Sequence, residues 1–133
     1  MAIPQAELDA LDAAQKKTVV AFKDKDYDKF LETFVEDCTF VPNGSAPVKG
    51  RAGVKALVEG LHKMGVVDLL VTIEDISPMG ECIFKRGDLT LLDKDGKKID
   101  LLNYCQIWRK DDGEYRHVFE MLNSKTPPQP PSS

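Results

Sequence analysis

Residues 97–124 read KKIDLLNYCQIWRKDDGEYRHVFEMLNS. Two β-rich runs, 97–110 and 114–124, flank Asp111-Asp112-Gly113, a separator short enough for a hairpin. Upstream the pattern repeats. Asp93-Lys94-Asp95-Gly96 divides the first run from another at 81–92, and Pro78-Met79-Gly80 divides that one from a run at 67–77. Consecutive hairpins make an antiparallel meander, so the C-terminal half is predicted to be a sheet. The last run also poses the functional question: Glu120 stands among Val118, Phe119, Met121 and Leu122 and faces either water or a cavity.

The N-terminal half has a different period. Leu8, Leu11, Thr18, Val19 and Phe22 recur at three- and four-residue steps, which predicts a helix over about 6–24 with one buried stripe. Asp26 can cap a second, shorter helix carrying Phe30, Leu31 and Phe34, since its carboxylate can accept from free amides of the first turn. Cys38 to Val41 reads as a brief strand ended by Pro42-Asn43-Gly44. After Gly50 comes a third helix with Val54, Leu57, Val58 and Leu61 on one face, and Gly65 is placed to end it in a left-handed conformation. Amphipathic helices followed by a meander predict a single α+β domain over 1–124, with helices covering one sheet face. The Pro-rich segment 125–133 cannot join a sheet and is expected to be disordered.

The totals exclude several functions. A chain of 133 residues, 42% apolar and 30% charged, is an ordinary globular protein able to bury its own core. A net charge of −4 with scattered Lys and Arg gives no basic face for nucleic acid. The N-terminal stretch has acids where a secretory signal would be basic, and no window reaches the ~20 apolar residues of a membrane span; a cytoplasmic protein is expected. Three cysteines (Cys38, Cys82, Cys105) without CxxC spacing fit reduced core thiols. His62 and His117 lack partners at metal-ligand spacing, and the Asp93–Gly96 segment departs from a calcium loop at Lys97, so neither a metal nor a cofactor is expected.

The stretches Asp26-Tyr27-Asp28-Lys29-Phe30, Phe34-Val35-Glu36-Asp37-Cys38-Thr39-Phe40, Gly50-Arg51-Ala52-Gly53-Val54, Trp108-Arg109-Lys110-Asp111-Asp112-Gly113-Glu114-Tyr115 and Glu120-Met121-Leu122-Asn123-Ser124 carry, in their order and spacing, a resemblance to a known family. Over about residues 6–124 the chain resembles the nuclear transport factor 2-like superfamily, and within it the SnoaL-like and ketosteroid-isomerase-like proteins. The resemblance implies a cone: three N-terminal helices packed on a strongly curved antiparallel sheet, with a pocket at the wide end.

For the final strand the two lines of reasoning disagree. Local alternation turns Tyr115, His117, Phe119, Met121 and Asn123 inward and leaves Arg116 and Glu120 wet. The family's spacing from the turn glycine turns Val118, Glu120 and Leu122 inward and puts His117 on the convex side, which in the family is often a dimer surface. By that spacing Leu102, Tyr104, Gln106, Lys85, Gly87 and Leu89 also face inward, with Gly87 leaving room for a pocket. The resemblance adds Thr18, Phe34 and Val41 to the lining. A few polar groups among apolar walls are what a small-molecule site offers.

The isomerase mechanism of the family does not carry over. Its Asp base stands where this chain has Val41, its first-helix Tyr where Thr18 stands, and its strand Asp where Tyr104 stands. The expected function is a homodimeric domain, paired through the outer sheet face, that binds a small apolar or amphipathic molecule. The alternatives are a lyase or isomerase with Glu120 as acid/base and Tyr104 as donor to a developing oxyanion, and an oligomerisation scaffold.

Overall fold

The structure, a computed structural model, describes residues 2–126. The expected disorder of the Pro-rich segment therefore concerns residues that, from 127 onward, lie outside the described ones. Helix α1 spans Gln5–Lys23, α2 Tyr27–Glu32 and α3 Gly50–Lys63. Strands follow as β1 Phe34–Val41, β2 Val48–Lys49, β3 Asp68–Val71, β4 Asp75–Met79, β5 Cys82–Leu92, β6 Lys98–Asp111 and β7 Glu114–Ser124. Asp26 caps α2 through its side chain, which accepts from the Lys29 amide at 3.2 Å. Gly65, at φ +91°, carries the chain out of α3 in the left-handed conformation the sequence called for.

The sheet order is β2-β1-β7-β6-β5-β3, with β4 also on β5. The hairpins β5/β6 and β6/β7 are the antiparallel meander expected. Three features differ from the sequence reading, each for a physical reason. First, α2 stops at Glu32 and Phe34 begins a strand rather than closing the helix. Thr33 O accepts from both the backbone N–H and Nδ1 of His117, at 2.7 and 2.9 Å, and the Arg51 guanidinium donates twice to Phe34 O. Second, β1 runs parallel to β7 and covers its edge, which gives both strands backbone partners that a terminal hairpin would leave exposed.

Third, the run at 67–77 is broken. Both β3 and β4 pair with β5, and Thr72 to Glu74 cross over Gly87 between them. Thr72 N donates to Asp88 O and Glu74 N to Arg86 O, each at 2.9 Å. A Cβ on Gly87 would lie 2.1 Å from Thr72 O. The glycine is required by the close approach of a second backbone.

The core lies between helices and sheet. Its main cluster includes Phe22, Phe30, Phe34, Val54, Leu89 and Leu102, and a second gathers Leu11, Ile83, Trp108 and Tyr115 near the start of α1. Among the described residues no helix is long and apolar enough to cross a membrane.

Candidate functional site

The inner face of the sheet carries polar groups at consecutive strand positions, and register decides which. Lys85 on β5 sits opposite Gln106 on β6, which sits opposite Glu120 on β7. One step toward the β6/β7 turn the register slips, so that Ile107 faces Phe119 but Trp108 faces His117, leaving Val118 as an extra residue. This bulge changes the parity of the strand. Tyr115 and His117 point inward before it, Glu120 and Leu122 after it, and all four are buried.

These side chains form a connected network. Trp108 Nε1 donates to Gln106 Oε1 at 2.9 Å, and Gln106 Nε2 donates to Glu120 Oε1 at 2.7 Å. Glu120 Oε1 lies 3.3 Å from His117 Nε2, with the histidine 0% and the glutamate 11% exposed in their side chains. Because Nδ1 of His117 donates to Thr33 O, Nε2 is the nitrogen that gains or lacks the second proton. That nitrogen is buried and makes no hydrogen bond among the described residues. The imidazole is clamped between the rings of Phe34 and Trp108, at 4.2 and 3.7 Å between centroids.

Lys85 is 1% exposed. Its Nζ donates to Oε1 of Gln15, a buried residue of α1, at 2.8 Å. Burial pulls its pKa down from 10.5 to about 8, against the opposing pull of Asp12 and Glu120. Burial also raises the Tyr104 hydroxyl, helped by the charges of Glu120 and Asp88. Nearer the rim, desolvation and the bond to Glu7 push Tyr115 up to about 12.

Lys85 forms part of the floor of two surface grooves between α1 and the β3–β4 segment. One, of 330 Å³, is bordered by Gln15, Val19, Val20, Leu69, Val71 and Ile73. The other, of 310 Å³, shares Asp12, Ile73 and Lys85 and continues along Gln5, Leu8 and Ile76. Val20 and Ile73, on opposite walls of the first groove, are 57% and 50% exposed. A separate, more open depression of 700 Å³ at the β1/β7 end is bordered by Val41, Ala46, Asn103 and Leu122.

The profile of the SnoaL-like domain matches residues 16–118. The chain belongs to the SnoaL-like domain family. A comparison with curated proteins gives no match. Among solved structures this SnoaL-like chain is similar to a cystatin-like-fold protein of unknown function from Nostoc punctiforme, with TM-score 0.77, 11% identity, 94% of this chain and 96% of that one covered. It is similar to a ketosteroid isomerase-like protein from Erwinia carotovora atroseptica, with TM-score 0.73, 18% identity and coverage of 91% and 98%. An NTF-2-like protein of unknown function from Shewanella oneidensis matches with TM-score 0.73, 15% identity and coverage of 88% and 98%. At such identities the likeness concerns the fold, an α+β arrangement of three helices on a curved sheet.

The residues expected to line one pocket of the SnoaL-like cone are divided by the structure. Lys85, Gln106 and Glu120 share the polar network and its neighbourhood. Phe34, Leu102, Tyr104 and Leu122 belong to the main apolar cluster, against which Val118 packs half-buried. Val41 and Leu122 border the distant β1/β7 depression. Thr18 is buried, with its hydroxyl bonded to Ala14 O of its own helix. Gly87 does not make room: the space over it holds the Thr72 carbonyl. The Tyr104 hydroxyl donates its single proton to that same carbonyl at 2.8 Å, so as placed it is not a free donor for an oxyanion.

His117 is the largest correction. The resemblance put it on the convex face, but the bulge at Val118 returns it to the interior. Gln15, Thr33 and Trp108 also escaped the site reading. Gln15 was detectable: it follows Leu11 by four residues and precedes Thr18 by three, a polar side chain on the buried stripe of α1. Among the described residues no cluster of His, Cys, Asp and Glu could hold a metal ion.

Proposed function

We propose that the protein binds a small amphipathic molecule in the groove between α1 and the β3–β4 segment, its polar end at Lys85 and Gln15 and its apolar body along Val20, Leu69, Val71 and Ile73. The supporting observation is the combination in one place of a buried amine at the floor and exposed apolar side chains on both walls. Burying an amine opposes stability, and exposed Val and Ile together are surface that a ligand would cover. The pocket proposed here is thus a groove reached from the side of the cone, in a protein that we place in the cytoplasm.

The test uses calorimetric titration with a panel of aromatic alcohols, ketones and carboxylates, comparing the protein with Ile73→Glu and Val20→Glu. Both positions are half-exposed, so the fold tolerates the change. Binding weakened at least about ten-fold by either acid, a loss of ~1.4 kcal/mol, supports the groove. Binding untouched by both refutes it.

Homodimerisation through the outer sheet face belongs to the same proposal. Phe84, Ile107 and Phe119 are direct cross-strand neighbours there, flanked by Cys105 and Met121, the last 41% exposed. Sedimentation of a dimer that Met121→Lys weakens supports this; a monomer at micromolar concentration removes it.

One observation favours a second reading, a lyase or isomerase in which Glu120 moves a proton: His117 Nε2 stands 3.3 Å from its carboxylate. Loss of turnover with ligand affinity retained in Glu120→Gln would support it.

A further inference from the structure

Lys85 is set apart from the other lysines by being buried without a carboxylate partner. Lys25, Lys49, Lys55, Lys63, Lys94, Lys97 and Lys98, which also lack one among the described residues, are all exposed. Lys16, Lys17, Lys23, Lys29, Lys110 and Lys125 each lie within 4.0 Å of a carboxylate oxygen. Lys85, deep under α1, donates instead to the neutral amide of Gln15, and among the described residues no carboxylate oxygen comes within 4.0 Å of its Nζ. The rings of Tyr104 and Trp108, 5.9 and 6.0 Å from Nζ, stand at the outer limit of useful cation–π attraction. A surround of this kind suits an uncharged amine better than an ammonium. The neutral form keeps an N–H for Gln15 Oε1 and has a lone pair to spare. The depressed pKa agrees with that geometry, and a desolvated lysine amine is a nucleophile toward carbonyl carbon.

We propose that Lys85 captures a carbonyl compound reversibly as an imine, the ligand class of the groove being an aldehyde or ketone with an apolar body. The proposal rests on the groove being the binding site. In the capture the lone pair of Nζ adds to the carbonyl carbon, and the π electrons move to oxygen. One proton passes from nitrogen to that oxygen, giving a carbinolamine. The C–O bond then breaks, and hydroxyl and the remaining amine proton leave together as water. No oxidant or reductant enters, and hydrolysis returns the free lysine. The apolar walls of Val19, Val71 and Ile73 hold the body of the ligand while the amine engages its polar end.

The test is reductive trapping. The protein is exposed briefly at pH 7.5 to trans-cinnamaldehyde with cyanoborohydride, and adducts are mapped by peptide mass spectrometry. Lys85 is expected to be modified at least about ten-fold faster than Lys16, whose side chain is 76% exposed, and the fast adduct is absent from Lys85→Met. Because the mapping is done on the unaltered protein, the result does not depend on that variant folding. Modification of Lys85 no faster than of Lys16 overturns the proposal. Calorimetry with cinnamyl alcohol, which lacks the carbonyl, separates the two failures. Alcohol binding without trapping at Lys85 removes the imine and leaves the groove, whereas neither binding nor trapping removes both.

Discussion

Replacing Lys85 with methionine should make the protein more stable. The depression of its pKa from 10.5 to about 8 corresponds, at ~1.36 kcal/mol per tenfold change in proton affinity, to about 3 kcal/mol by which the folded state disfavours the charged amine. Methionine removes that cost and keeps most of the side-chain length, but leaves Gln15 Oε1 without its donor, an offset of ~1 kcal/mol or somewhat more. The expected net gain at pH 7 is about 1–2 kcal/mol. The sign of the pH dependence follows from the direction of the shift. Between pH 8 and 10.5 the unfolded lysine holds a proton that the folded one has lost, so wild-type stability from this group rises with pH through that window. Below pH 8 both states are charged and the full cost is present. The advantage of the variant should therefore fall by about 2 kcal/mol between pH 7 and pH 9.5, closing the gap or slightly reversing it. Urea unfolding at the two pH values measures it. A variant less stable than wild type at pH 7, or a gap unchanged at pH 9.5, would refute the reasoning.

Other substitutions probe the rest of the site. Gly87→Ala would drive a methyl into the Thr72 carbonyl and should cost ~1–3 kcal/mol, with far-UV dichroism retained and the melting temperature lowered. His117→Phe preserves a ring between Phe34 and Trp108 but removes the group facing buried Glu120 and the side-chain bond to Thr33 O; a loss of ~1–3 kcal/mol by denaturant titration is expected. Adding Glu120→Gln to it should recover part of that loss, because a neutral amide tolerates the vacated site better than a carboxylate. Tyr104→Phe deletes only the bond to Thr72 O and should cost ~1 kcal/mol, with little change in ligand affinity.

How much of this was legible depended on whether a residue's position obeys a period. The turns at 93–96 and 112–113, the α1 stripe and Gly65 are local signals that lie where the sequence placed them. Of the separator Pro78-Met79-Gly80, by contrast, the first two residues pair with Ile83 and Cys82 inside β4, and the turn falls at Gly80 and Glu81. The bulge at Val118 is not a local signal. Residues 114–124 contain no glycine, and the slip is imposed by pairing with β6 on one side and β1 on the other. Hence alternation from the turn correctly buried His117 and the family's spacing correctly buried Glu120, and each failed on the other half of the strand. Gly87 was legible as a strand irregularity, but its partner was not, since the approach of Thr72 depends on a break in the preceding run. Gln15 was legible by its position, four residues after Leu11 and three before Thr18 on the α1 stripe, but its polarity let the reading pass over the amide to which Lys85 donates.

The claim on which the functional account rests is that ligands enter between α1 and the β3–β4 segment, over Lys85. Methyl-resolved NMR titration with cinnamyl alcohol tests it directly. The account predicts shifts at Val20, Leu69, Val71 and Ile73, with Val41 and Leu122 silent. Shifts confined to Val41 and Leu122, or none at all, would contradict it.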